Sequence, residues 1–509
     1  MTAATRADAV RAGAVTALAL AGCLALAVLV PPQAAAPGIL VLAASVAFRH
    51  QLASQRGLLA LVLLTVMWIP AGRYSVLGVP PALPWRLVAL GLLLGLFLSL
   101  ALDRRVGWRP TPFLRPVLLV AAVGLLSVLV NVRRLALLGR VDDGALAVVQ
   151  TALLLSLFVT VRQLMTSARL VDWAARVLVL AGGVVGLGAG VERATGFNAF
   201  ISLQAFLPLQ LLSEAPTVSR YGTARALGSS NHPIALSVVM VVLVPLAVFL
   251  ARRSPWPSRQ GLRQALYLGA AFAMVTGAFL TGSRTFVVVI AVMALVLLLV
   301  DVLRFTRVVL AAVPLALLAA VLIPGAVRGV LDSFSSPSSL IDSQYAAAGG
   351  RGSGRLADVA PSLAQAQQHP LLGTGVGSRL ISGPDANAFI LDNQYLSTLL
   401  ESGFLGLLAV LVMLVLPAVA MVRAVRDPWL SPGERDLVLA LGCAFTGYAV
   451  AVALFDAFAF QQTLMVFCVL LAMASHLVTV SRERTDGSPG GLAAAPPAGR
   501  PDREETGVR

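Results

Sequence analysis

Long apolar runs separated by short polar breaks set the pattern of this chain. Runs fall at residues 12–30, 37–48, 57–72, 86–102, 114–131, 144–161, 170–190, 233–251, 264–281, 285–301, 308–323, 404–422, 436–456 and 460–479. Most approach the length of about 20 residues that carries an α-helix across the hydrocarbon core of a bilayer. The pattern predicts an all-α fold, a polytopic transmembrane helical bundle of about 12–14 spans. The run at 37–48 is short and reads as a re-entrant segment or as part of a longer helix. The run at 12–30 has the length of a signal peptide, but the many spans after it favour a retained first helix. The rhythm breaks at 191–232 and at 324–393, which are predicted as loops, the second a large extracytoplasmic one between late spans. The membrane domain is expected to occupy 1–480. Beyond it, residues 481–509 are charged and rich in Pro, Gly and Ala, too poor in apolar surface to fold, and are expected to form a disordered cytoplasmic tail.

Composition agrees with that reading and removes several alternatives. The 509 residues are 58% hydrophobic and 12% charged, where soluble domains are about 25% charged. The net charge of +15 is carried by arginine, since lysine is absent. The arginines are scattered among loops and form no single basic patch, which fits a topology signal and contact with anionic membrane lipids and gives no footprint for nucleic acid. Without lysine there can be no Walker A phosphate loop. GTGVG at 373–377 has no preceding strand, so it reads as a tight turn or an anion-cradling nest and not as half of a dinucleotide site. Cys23, Cys443 and Cys468 fall inside predicted spans, and His50, His232, His369 and His476 are far apart, so neither a disulfide framework nor a metal or cofactor site is expected.

Arginine placement also predicts orientation. With a cytoplasmic N-terminus, alternate connections should be basic. They are, at Arg6 and Arg11, Arg49 and Arg56, Arg104 to Arg109, Arg162 and Arg169, Arg252 to Arg263, Arg304 and Arg307, Arg423 to Arg435, and Arg482 and Arg484. All six tryptophans lie near predicted span ends, as an interfacial belt would require. Both termini are therefore expected in the cytoplasm, with the protein multi-pass in the cytoplasmic (inner) membrane. Against this rule, Arg133, Arg134, Arg140, Arg193, Arg220, Arg225, Arg328, Arg351, Arg355 and Arg379 fall on the external side. So does Arg284, in TGSRT between two long apolar runs. A charge at membrane depth costs about 2.5–3.5 kcal/mol on insertion scales, so an anionic partner is expected near it. It would otherwise cap a helix end or pair with a structural carboxylate.

Candidate chemistry collects in three external polar islands. One is RALGSSNHP at 225–233, one is TGSRT at 281–285, and one is the segment 355–408, with His369, Asp385, Asp392, Asn393, Gln394, Tyr395 and Glu401. Polar backbone at a membrane is tolerated only where it meets water or lines a cavity. Guanidinium groups suit phosphate, and carboxylates suit removal of a hydroxyl proton. Asp392 can serve as such a base or as a helix N-cap, Glu401 can orient the loop, His369 reads as a turn residue, and Asp456 and Gln461 read as polar loop residues.

In order and in membrane side, these islands resemble the O-antigen ligase and polymerase superfamily of bacterial membrane glycosyltransferases. The matching elements are Arg225 to Gly228 as R-x-x-G, Ser283-Arg284 opening a span, Arg355, the PLLGTGVG turn at 370–377, the Asp392-Asn393-Gln394-Tyr395-Leu396 segment, and Glu401 to Gly406. Many members carry a histidine where this chain has Asp392. The resemblance implies transfer of a glycan from an undecaprenyl-pyrophosphate donor to a hydroxyl of a glycan, lipid or protein acceptor, outside the cytoplasmic membrane and without a metal. It implies that Arg225, Arg284 and Arg355 hold the diphosphate and that Arg284 and Asp392 carry the chemistry. Asn393, Tyr395, Glu401 and His369 would support them. A flippase or other transporter of lipid-linked oligosaccharide is the alternative from another class.

Overall fold

A computed structural model describes residues 54–76, 82–102, 106–213, 219–220, 223–335, 357–379, 388 and 391–487. The predicted spans 12–30 and 37–48, Cys23, His50, Arg351, Arg355, Asp385 and most of the expected tail lie outside the described residues.

Each apolar run from residue 57 onward becomes a helix. In chain order these are α1 (Gln55–Trp68), α2 (Pro84–Leu102), α3 (Leu114–Val130), the short α4 (Val132–Leu137), α5 (Val141–Leu164) and α6 (Ala168–Thr195). They continue with α7 (Pro233–Arg253), α8 (Gln260–Leu280), α9 (Thr285–Val300), α10 (Val302–Leu322) and α11 (Pro324–Ser335). The last are α12 (Val359–Ala366), α13 (Gln394–Ala424), α14 (Pro432–Val452) and α15 (Gln461–Thr485). Among the described residues, eight helices are long and apolar enough to cross a membrane, and α1, α3 and α9 are shorter apolar helices. The large loop is thus partly helical, carrying α11 and α12, and α15 runs past residue 480. Two strands, β1 (Tyr74–Val76) and β2 (Leu209–Leu211), pair antiparallel and tie the α1–α2 loop to the α6–α7 loop.

Helices α7, α14 and α15 form the buried centre, while α2 and α10 are almost wholly exposed on the outside, as lipid-facing helices must be. Small residues bring α6 and α8 together. A Cβ on Gly186 would stand 2.3 Å from the Ala273 carbonyl oxygen, and one on Gly183 would stand 2.9 Å from Ala270 Cβ. Between membrane helices, close backbone approach of this kind replaces a hydrophobic driving force.

Because successive helices run in opposite directions, the connections sort to two ends. At one end lie the basic loops. Asp436 accepts from Arg253 Nε at 2.5 Å and pairs with Arg304 Nη1 at 2.5 Å, and Glu434 binds Arg484 through both oxygens while closing a capping box with Ser431. The polar islands lie at the other end. The tryptophan belt is only partly present. Trp108, Trp256 and Trp429 are exposed, but Trp85 is buried and Trp68 donates its indole N–H to the Ala181 carbonyl, so these two are spent on packing.

Candidate active site

The 281–284 turn joins α8 to α9. Gly282 takes φ +59°, and hydroxyls satisfy the turn: Ser283 N–H donates to Thr281 Oγ1 and Thr285 N–H to Ser283 Oγ. Arg225 lies across it, its Nε donating to the Thr281 carbonyl at 2.6 Å. Arg225 is thus bonded through its side chain to the turn that carries Arg284. Arg284 takes the N-cap position of α9, where the positive end of the helix dipole disfavours a cation. That placement is electrostatically costly unless an anion is nearby.

The segment carrying Arg225 is held rigidly. Glu192 accepts from the backbone N–H of Leu227 and Gly228, Asn198 Nδ2 donates to the Gly228 carbonyl, and Arg73 Nη2 donates to the Asn231 carbonyl. Gly228 has φ +52°, and a Cβ there would meet Leu236 and Val185 at 3.1–3.2 Å. The glycine of R-x-x-G is therefore required by conformation and by space. Gln462 of α15 joins this segment to α1, donating to the Val66 carbonyl and Ser229 Oγ and accepting from Ser230 Oγ.

The third island is built on a broken helix. At Gly403, with φ 67° and ψ −166°, α13 is interrupted, so its predicted start at 404 is the second half of a longer element beginning at Gln394. A break frees backbone groups that cannot stay unpaired in a membrane, each at a cost of several kcal/mol. The PLLGTG turn takes four of them. Thr374 N–H and Gly375 N–H donate to the carbonyls of Leu400 and Glu401, while Phe404 N–H and Leu405 N–H donate to those of Pro370 and Leu371. Ser127 Oγ of α3 donates to both Glu401 O and Leu372 O. The fit leaves no room, since a Cβ on Gly403 would stand 2.3 Å from Leu371 C and one on Gly373 would stand 2.4 Å from Glu401 C. The glycines of GTGVG make a helix clasp, not a nucleotide site.

Asn393, and not Asp392, caps α13. Its Oδ1 accepts from the N–H groups of Tyr395 and Leu396. Tyr395 gives its hydroxyl to the Ala449 carbonyl of α14 at 2.7 Å, a structural anchor. His369 meets Arg134 Nη1 at 2.6 Å on the exposed side of the turn, with its Nε2 accepting. A cavity of about 60 Å³ lies between α3, α5 and α13, and its polar lining is Gln394, Thr398, Glu401, Ser402 and Thr151. It has room for a few waters and is far below the roughly 300–1,000 Å³ of ordinary ligand pockets. Arg225 and Arg284 do not line it.

The α14–α15 turn connects these parts. Gln394 N–H donates to the Phe455 carbonyl, and Phe458 N–H donates to Gln394 Oε1 at 2.7 Å. Phe460 stacks on His232, which caps α7 from the Arg225 segment, at 5.0 Å between ring centroids. The same turn therefore touches the α13 start and the RALGSSNHP segment.

Asp456, read in the sequence as a polar loop residue, and Arg379, one of the external arginines against the topology rule, belong here. Burial pushes the Asp456 carboxyl up to about 6, against the opposing pull of the Phe458 and Ala459 N–H groups and of Arg379, and the Asp392 charge pushes it the same way as burial. Arg379 follows the helix clasp directly and interacts with Glu401, Asp456 and Asp358; burial lowers its proton affinity and the carboxylates raise it. Burial also raises Asp358, as does the charge of Asp392. The signal for both missed residues is spatial: Arg379 is fixed by a turn bonded to α13, and Asp456 by one glutamine.

A family model described as O-antigen ligase matches residues 269–411. That stretch contains Arg284, the clasp, Arg379, Asp392 and Glu401, while Arg225 and Asp456 lie outside it. No curated protein matches the chain.

Proposed function

On the premise that residues 269–411 place this chain in the O-antigen ligase superfamily, we propose that it is an inverting membrane glycosyltransferase of polymerase or ligase type. It transfers a glycan from an undecaprenyl-pyrophosphate donor to an acceptor hydroxyl on the extracytoplasmic side of the cytoplasmic membrane, in surface or exopolysaccharide assembly. The observation that carries this reading is the seating of Arg225 on the turn that presents Arg284.

Breaking the bond from sugar C1 to the diphosphate places negative charge on the leaving oxygens. Preorganised guanidinium groups at that point stabilise the transition state more than the ground state. Two arginines at one turn supply this charge, so the reaction needs no metal to neutralise the diphosphate. On the opposite side of the sugar, Asp392 accepts the acceptor's proton. Its carboxylate is spared capping work by Asn393. Arg355 remains a candidate third ligand of the diphosphate. Tyr395 and Glu401 act indirectly, through α14 and the helix clasp, and His369 through Arg134.

Orientation rests on charge. Arg162, Arg253, Arg304, Arg435 and Arg484 sit at the end opposite the polar islands, which makes that end cytoplasmic by the positive-inside rule. Gathering of the polar groups at one end, in place of the bilayer midplane, favours transfer chemistry over transport.

The test is reconstitution of the purified protein with an undecaprenyl-diphosphate oligosaccharide from the host. Glycan growth or transfer, release of undecaprenyl diphosphate, inversion at C1 and insensitivity to EDTA are expected. Intact donor after prolonged incubation, with the lipid moved between leaflets, would support the transporter instead.

A further inference from the structure

An acceptor hydroxyl must lose its proton as it attacks, and a single carboxylate is a weak base for that task. The structure provides more than a lone aspartate. Gln394 makes two hydrogen bonds to the 455–458 segment, one from its backbone N–H and one to its side-chain oxygen, and so fixes Asp456 beside the Asp392–Asn393 step. Arg379 reaches the same place from the helix clasp, whose position is set by the backbone bonds of Thr374 and Gly375 to α13. The small polar cavity has Gln394 and Phe458, which fix this step, in its wall, together with Glu401.

We propose that Asp456 is a positioning residue that shares with Asp392 the proton taken from the acceptor, and that Arg379 is the counter-ion that keeps the pair anionic until the acceptor arrives. This deepens the glycosyltransferase reading and rests on it. Two neighbouring carboxylates hold their first proton more tightly than either would alone, because each charge opposes ionisation of the other. The pair is then matched to proton transfer near neutral pH, and the raised affinity of Asp456 fits this. As the acceptor oxygen bonds to C1, the C1–O bond to the diphosphate breaks and its electron pair leaves with the diphosphate. The hydroxyl proton passes to Asp392, is shared with Asp456, and leaves through water of the adjoining cavity. Arg379 opposes premature protonation.

The charged groups facing Asp456 are Arg379, Asp392 and Glu401. Beyond them, Asp358 faces Arg379 and Asp392, and Arg140 faces Glu401. The test is the pH dependence of kcat/KM in proteoliposomes with the host's undecaprenyl-diphosphate oligosaccharide. The full chain is used, and each variant is checked for normal yield and elution in detergent. The wild type should lose activity on the acid side with a midpoint near the value of about 6 held by Asp456. Asp456→Asn removes a neighbouring negative charge. With one charge fewer to oppose ionisation at the site, the acid limb should move down by about one unit while the plateau falls by about 10²-fold. Arg379→Gln removes a cation and should move the limb up, with Arg379→Lys restoring it and Asp456→Glu restoring most of the plateau. Variants that lose rate without displacing the acid limb, or that keep the wild-type rate, would overturn the proposal. If Asp456→Asn fails to fold, the opposite displacement in Arg379→Gln decides the matter. A wild type that turns over no donor would remove the underlying reaction, and this proposal with it.

Discussion

Arg284→Ala should abolish glycan transfer while the protein stays in the membrane at its normal amount. The turn around Arg284 is held by hydroxyls and backbone: Thr281 and Ser283 accept from N–H groups within it, and Arg225 binds the Thr281 carbonyl. The α8–α9 corner therefore keeps these bonds when the guanidinium is removed. In the proposed reaction the leaving diphosphate builds charge that a fixed cation offsets, so catalysis should depend on it. Loss of one preorganised donor in comparable acyl-transfer sites costs about 10²–10³ in rate, and a full cation facing a diphosphate should cost at least as much. Arg284→Lys should recover only part, since an ammonium cannot bind two phosphate oxygens in a fork. Turnover in proteoliposomes, with quantified protein, is the measurement; wild-type polymer from the alanine variant would remove Arg284 from the mechanism.

Gly403→Ala should be among the most damaging single methyl additions at the described residues. Its φ of 67° and ψ of −166° lie in a region that is essentially glycine-only and costs other residues about 1–3 kcal/mol. The added carbon would also stand 2.3–2.5 Å from Leu371 C, Leu371 O and Leu372 N. The clasp must open, and the frayed α13 groups then have no partners in an apolar setting. The expected outcome is a large fall in thermal stability in detergent together with lost transfer. Gly95→Ala on lipid-facing α2, where a Cβ meets nothing within 4 Å, is the control and should behave as wild type. A Gly403→Ala protein as stable as that control would show that the clasp is dispensable.

How far the sequence revealed this molecule depends on the range of each interaction. Spans were legible because each helix buries or greases its own contiguous apolar run, so α7, α8 and α9 lie within a few residues of their predicted bounds. Where polar residues enter a helix, the pattern failed. The stretch 394–403, with Gln394, Ser397, Thr398, Glu401 and Ser402, falls between the predicted loop and the predicted span, yet it is the first half of α13, with polar groups that face the polar cavity, the 455–458 turn and the clasp. The neighbouring caps were confused for a similar reason, since Asp392 and Asn393 have equal capping propensity and only geometry selects Asn393. Arg225 and Arg284 stand out in the sequence as charges against the topology rule, and the structure bonds Arg225 to the turn that carries Arg284. Arg379 is one of many external arginines in the sequence and Asp456 a single polar residue at a turn; neither was assigned to the site because their partners are far away in sequence, brought near by the clasp and by Gln394. Arg355 lies outside the described residues.

The central claim is that Arg225 and Arg284 together grip a lipid-linked diphosphate. Native mass spectrometry of the protein from nanodiscs, titrated with undecaprenyl diphosphate and with undecaprenyl monophosphate, tests it most directly. The account expects the wild type to retain one lipid diphosphate in preference to the monophosphate, and expects the Arg225→Ala/Arg284→Ala protein to lose that preference while remaining folded. Equal retention of both lipids by the wild type, or undiminished diphosphate binding by the double variant, would contradict it.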